Sequence, residues 1–176
     1  MTTPRTAPYA APAGADRSRT HTWYSRPELT PEILGMSGLE VLQACIKGAL
    51  PEASIMSTLG FRLTEAEEGS VVFEGDPGDH LLNPMGTVHG GFLATLLDSA
   101  LGSAVMTRLP AGTTYTTVQL GVHMIRPVMA QTPTLRCEGT ALHVGRTTAT
   151  AEARVVGAQD GKLYAHATTT CVVLRP

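Results

Sequence analysis

Between Leu81 and Thr107 the only formally charged side chain is Asp98, set in the middle of the apolar run Gly90 to Met106. That run is shorter than the ~20 residues a membrane span needs, so it reads as a core helix, ending by about Arg108 ahead of Pro110. A helix that is apolar on nearly every side has to be covered on nearly every side. The flanking sequence supplies the cover. Gly60 to Glu67 and Ser70 to Asp76 read as two strands joined at Glu68-Gly69. Tyr115 to Met124, Thr134 to His143, Thr147 to Val156 and Leu163 to Leu174 are rich in Thr and Val and read as four more. Turn residues at Arg126-Pro127, Gly145-Arg146 and Asp160-Gly161 predict that these last strands form an antiparallel meander. The order predicts an α+β fold in which a curved antiparallel sheet of about six strands wraps a long central helix.

Upstream, Pro31 to Leu50 has helical spacing at Ile33, Leu34, Leu39, Val41, Leu42 and Ile46, and Ser54 to Leu59 adds a turn of helix. A helical segment over 28–58 is thus expected before the main domain at 59–176. Residues 1–27, rich in Pro, Ala, Thr and Arg, lack the apolar core of a secretory signal and read as a disordered tail. The 176 residues fit one core. With 43% hydrophobic and 16% charged residues and a mean hydropathy of +0.05, the chain is slightly apolar for its size, which predicts apolar surface buried between subunits. A net charge of -2 and a pI near 6.3 give no broad attraction for phosphate backbones or anionic lipid, so neither nucleic acid nor membrane is an expected partner. Cys45, Cys137 and Cys171 are far apart and lack CxxC spacing, which argues against a disulfide framework or zinc ribbon and for a reducing cytoplasm.

The chemistry concentrates on the central helix. Three and four residues from Asp98 stand Ala94, Thr95, Leu101 and Gly102, none of which neutralises a carboxylate. Burying an unpaired acid is costly, so Asp98 takes donors from elsewhere, shifts its pKa upward or faces a wet cleft. The plainer alternative is a hydrogen-bonded acid that fixes helix packing. His89-Gly90-Gly91 opens the same helix, where first-turn N–H groups have no intrahelical acceptor and the macrodipole adds partial positive charge. Glycine there lets a carbonyl approach the backbone, as an oxyanion hole requires; alone, the triplet more often marks a tight loop-to-helix junction. Gly90 and Asp98 stand eight residues apart, roughly 12 Å along a helix. One carbonyl, needing contacts of about 3 Å to each group, does not reach both within one chain. Joint action therefore requires two subunits of a two-fold dimer with crossing or antiparallel helices.

The pattern Asn83-Pro84-Met85-Gly86-Thr87-Val88-His89-Gly90-Gly91, with Asp98 nine residues after the His, then Thr116-Thr117-Val118-Gln119 and Arg126-Pro127, is distinctive. It resembles the hot-dog fold acyl-coenzyme A thioesterases of the phenylacetate-degradation (PaaI-like) type, over about Thr58 to Leu174. The resemblance implies hydrolysis of acyl-coenzyme A thioesters with no cofactor beyond the coenzyme A of the substrate, in obligate homodimers that often pair into tetramers. It assigns Asp98 as the catalytic carboxylate, either a general base or a nucleophile forming a transient anhydride. Gly90 becomes the residue whose backbone N–H polarises the thioester carbonyl, with Gly91 beside it and His89 supporting the loop. Asn83 becomes the amide that orients substrate or water. Thr117 matches a hydroxyl near the attacking water, with Thr116 the neighbouring alternative. Arg146 resembles a position that meets coenzyme A phosphates, and Arg126 is expected near the same groove, since arginine suits phosphate by bidentate donation. Exposed turn arginines are also commonly just solvated.

Competing chemistries lack their residues. Asp76, Asp79 and His80 share a Pro/Gly loop without a second His at ligand spacing, so no metal is expected. There is no G-x-S-x-G elbow, phosphate loop or dinucleotide fingerprint. A hydratase of the resembled fold would pair its helix Asp with a His five residues on, where Ser103 stands. The remaining alternative is a non-catalytic acyl-coenzyme A sensor of the same fold, which would dispense with the carboxylate that Asp98 supplies.

Overall fold

A computed structural model of the chain describes residues 17–25 and 27–175. Three short helices come first: α1 (Pro31–Leu34), α2 (Gly38–Ile46) and α3 (Ser54–Leu59). Each boundary has a local cause. Thr30 caps α1, which carries proline in its first turn. A capping box opens α2, with Ser37 Oγ accepting from the Glu40 N–H at 3.3 Å and the Glu40 carboxylate accepting from the Ser37 N–H at 2.7 Å. Gly60, at φ +77, ends α3 in the left-handed region. Then follow β1 (Phe61–Glu67), β2 (Ser70–Gly75), a single 3-10 turn at Asp79–Leu81, and the central helix α4 (Gly90–Met106). The chain closes with β3 (Thr114–Met124), β4 (Leu135–Val144), β5 (Thr148–Gly157) and β6 (Leu163–Leu174).

The six strands form one antiparallel sheet in the order β1-β2-β4-β5-β6-β3. The expected meander of the last four strands holds only for β4, β5 and β6. Arg126-Pro127 is not a hairpin turn but the start of a crossover over residues 125–134 that carries β3 to the far edge, beside β6. Backbone bonds hold the crossover there, with Ile125 and Arg126 donating to the Tyr164 carbonyl and Val88 donating to the Val128 carbonyl. The rearrangement serves the helix: α4 touches β2, β3, β4, β5 and β6, so placing β3 next to β6 closes the side that a meander would leave open. The hot-dog architecture, a helix wrapped by a curved sheet, is therefore present with its short N-terminal helices.

The core sits between α4 and the concave face of the sheet. Leu96, Leu97, Ala100, Leu101, Ala104 and Val105 of α4 are fully buried. At Gly139 of β4 a Cβ would stand 2.5 Å from the Ala100 carbonyl oxygen, so glycine lets helix and sheet backbones meet. The far end of α4 is tied to the first hairpin by Thr107, whose hydroxyl accepts from the Gly69 N–H at 2.7 Å and donates to the Ala104 carbonyl at 2.6 Å. Most of the expected tail, residues 1–16 and Arg26, lies outside the described residues. Its described portion, 17–25, has no helix or strand but is held as a strap: Arg17 pairs with Asp79, and the Arg19 guanidinium donates to the Thr58 carbonyl at 2.9 Å. Among the described residues no helix is long and apolar enough to cross a membrane.

Candidate active site

Asp98 lies half-buried near the middle of α4, and its Oδ1 accepts a 3.1 Å hydrogen bond from the Thr117 hydroxyl of β3. A bulge decides which β3 residues can do this. Pairing with β6 slips between Thr117 and Gln119, and the inward-facing set shifts from Tyr115 and Thr117 to Leu120 and Val122. Thr117 therefore faces the helix, while Thr116 is exposed on the other face. Tyr115, two residues earlier and on the same side, rests its hydroxyl on α4 where Gly102 leaves room; a Cβ there would collide with the ring. Burial, with added effect from Cys171 and Asp98, pushes the Tyr115 hydroxyl pKa well up, so it stays protonated beside the acid. These groups open on a cavity of about 360 Å³ that also takes in Ser99, Ser103 and Glu52.

Gly90 belongs to a second arrangement at the start of α4. The loop before it is organised by Asn83, whose Oδ1 accepts from the Met85 and Thr87 N–H groups at 2.9 and 3.2 Å and whose Nδ2 donates to Thr87 Oγ1 at 2.8 Å. His89 is the N-cap, and its Nδ1 accepts from the Gly91 N–H at 2.9 Å. The His89 carbonyl takes the Phe92 N–H. The Gly91 donor is thus committed to the cap, and the Gly90 N–H has no acceptor among the described residues. A Cβ on Gly90 would stand 2.5 Å from Met124 Cε, so the bare glycine keeps the approach to that N–H open. The cavity beside it, about 250 Å³, is lined by Asn83, Gly90, Met124 and Arg126, whose guanidinium lies 6.0 Å from the Tyr164 ring centroid.

Within one chain, then, the acid and the free helix-start donor face different cavities that share no lining residue. Asn83, His89 and Gly90 come together; Asp98 and Thr117 come together. Arg146 joins neither group. It is exposed at the β4–β5 turn, where its carbonyl accepts from Arg175 Nε at 3.2 Å, near the Thr114 end of β3 that pairs with Leu174. Among the described residues no group of three or more His, Cys, Asp or Glu is placed to hold a metal. The sequence does not single out Tyr115, Ser99 or Glu52, and it marks Ser103 only as the residue five after Asp98. Tyr115 was within reach, since it lies two residues from Thr117 on the same strand face. Ser99 and Ser103 follow Asp98 by one residue and by more than a turn. Glu52 carries no local signal, because only tertiary packing brings the α2–α3 loop to this cavity.

A central helix wrapped by an antiparallel sheet, with a carboxylate midway along it and an unengaged glycine N–H at its start, defines a thioesterase of the hot-dog type. Residues 85–164 match the profile of the Thioesterase superfamily. A Halobacterium salinarum protein whose name places it provisionally among the esterases is 31% identical over 122 residues, covering 66% of this chain and 79% of its own. The chain belongs to this superfamily, and the chemistry of that class is thioester hydrolysis. Within it the chain is of the phenylacetate-degradation, PaaI-like type. A phenylacetic acid degradation-related protein of Ralstonia eutropha superposes with a TM-score of 0.67 at 30% identity, over 74% of this chain and 98% of that one. A variant of the phenylacetic acid degradation protein PaaI of Thermus thermophilus gives 0.62 at 31% identity, over 70% and 100%.

Proposed function

We propose that the protein hydrolyses acyl-coenzyme A thioesters in a site completed by a second copy of the chain. The observation that carries this reading is the separation of the Asp98 cavity from the Gly90 donor along one helix. A dimer resolves it. Strand β3 lies at the sheet edge, is eleven residues long, and exposes Val118 and Met124 at 58% and 54%, a surface suited to pairing with its own copy. Antiparallel apposition of two β3 strands sets the Thr114 end of one against the Met124 end of the other. Asp98 and Thr117 then face the partner's Gly90, and Arg146 comes to the side of the groove where the partner's Arg126 stands. Two guanidinium groups there suit the phosphates of coenzyme A.

In this site Asp98 acts as general base. It takes a proton from a water whose oxygen attacks the thioester carbonyl carbon, and the Thr117 hydroxyl fixes the carboxylate. Charge developing on the carbonyl oxygen is met by the partner's Gly90 N–H and the helix dipole behind it. Collapse of the tetrahedral intermediate breaks the C–S bond, and the departing thiolate recovers a proton, leaving carboxylic acid and coenzyme A. His89 and Asn83 act through the loop, by presenting that N–H.

The test is thiol release from a panel of short-chain, long-chain and aryl thioesters, with Asp98→Asn as control. The variant should fold and lose about 10²- to 10⁴-fold in turnover, the usual contribution of a positioned base. Tight binding of intact thioesters with no release by the wild type would favour a sensor. The shared site predicts that mixing inactive Asp98→Asn chains with inactive Gly90→Val chains restores activity. Dead mixtures with proven subunit exchange would reject it.

A further inference from the structure

The Asp98 cavity adjoins a second one. It lies between α4 and the N-terminal helices, is lined by Leu42, Met56 and Phe73, and is bounded by a neck of Cys45, Glu52 and Ala53. Those three residues also line a second cavity, of about 590 Å³, roofed by the strap residues Trp23 and Tyr24 and walled by Ile46 and Leu50. The first chamber, at about 360 Å³, compares with the roughly 150 Å³ that encloses one benzene, so it suits an acyl group of a few such units and not a long alkyl chain. The second chamber is apolar enough to take the remainder of a long chain, yet the boundary the two share carries the Glu52 carboxylate.

We propose that Glu52 sets the acyl length of this enzyme: it ends the acyl chamber at the neck and keeps long alkyl chains out of the chamber beneath the strap. This rests on the thioester-hydrolysis reading of the Asp98 site. The physical cause is desolvation, because Glu52 is exposed to water and has no cation within ion-pair distance among the described residues, so a hydrocarbon threading the neck would strip that water from it. Desolvation by the surrounding loop, outweighing the nearby Leu63 N–H and Arg62, already pushes the Glu52 carboxyl pKa above its ordinary value. The neck is otherwise held in shape, with the Cys45 thiol donating to the Pro51 carbonyl at 3.7 Å.

The experiment compares thiol release from octanoyl- and palmitoyl-coenzyme A. The wild type should prefer octanoyl, and Glu52→Ala should raise the palmitoyl-to-octanoyl ratio of kcat/KM by roughly tenfold or more, in the range that pocket discrimination reaches. Adding Ala49→Trp, at a residue that lines the second chamber and not the first, should cancel that gain. Ala49→Trp alone should leave octanoyl hydrolysis unchanged, a test that stands even if Glu52→Ala does not fold. An unaltered ratio in a folded Glu52→Ala enzyme, a gain that survives the added tryptophan, or octanoyl hydrolysis impaired by Ala49→Trp alone overturns the proposal. A wild type inert toward both thioesters would instead strike at the parent reading.

Discussion

Replacing Thr117 by valine removes one hydroxyl and little else. Valine has nearly the same shape, suits a strand, and the position is half-buried, so stability should change by less than about 1 kcal/mol, or roughly 2–4 °C in Tm. What disappears is the 3.1 Å bond to Asp98 Oδ1. A hydrogen bond to a charged acceptor is worth about 1.5–3 kcal/mol, and 1.36 kcal/mol is tenfold in rate, so complete loss in the transition state corresponds to roughly 10- to 150-fold in kcat/KM. Asp98 borders an open cavity, and water there replaces part of the lost bond, which selects the lower end, about tenfold. The assay is thiol release with a thermal melt on the same preparation, and Thr117→Ser should recover most of the loss. A valine variant that folds and turns over at the wild-type rate would refute the idea that this hydroxyl fixes the catalytic acid. A lowered Tm with unchanged kcat/KM would make the bond a packing feature.

Gly139→Ala should cost about 1–3 kcal/mol or more in a denaturant titration, because its Cβ meets the rigid Ala100 carbonyl at 2.5 Å. Gly90→Ala meets only the flexible end of Met124; it should fold normally and instead lose about 10²-fold or more in kcat as the Cβ crowds the oxyanion donor. His89→Ala removes the cap on the Gly91 N–H, costing about 1 kcal/mol in unfolding free energy, and should lower kcat/KM through the displaced loop. Glu52→Gln tests the raised pKa. The folded state holds the Glu52 proton more tightly than the unfolded chain does, so wild-type stability falls as pH rises from the ordinary value of 4.5 through the higher folded value. The glutamine variant should therefore melt higher than wild type at neutral pH, with the difference vanishing below about pH 4.5.

How much of this was written in the chain divides along a physical line. Secondary structure was legible wherever the cause is local. The apolar length of α4, the alternation in β4 to β6 and the glycines at tight turns act within a few residues, and α4 and the six strands appear within a residue or two of their expected ends, whereas the helical run expected over Pro31 to Leu50 breaks into α1 and α2 and stops at Ile46. The isolation of Asp98 and the bare glycines of the His89-Gly90-Gly91 start were likewise apparent, because charge and missing side chains stand out against an apolar helix. Pairing was not. Nothing in an alternating strand states its neighbour, so β3 read as part of a meander, and only the need to close the sheet around α4 sends it to β6. Which of Thr116 and Thr117 faces the helix depends on the bulged pairing of β3 with β6, and the arrival of Glu52 at the Asp98 cavity depends on how α2 and α3 pack against β1. Local propensity and isolated charge are properties of a segment and can be read from it; strand order, inward phase and cavity walls arise from contacts distant in sequence, and the folded chain alone decides them.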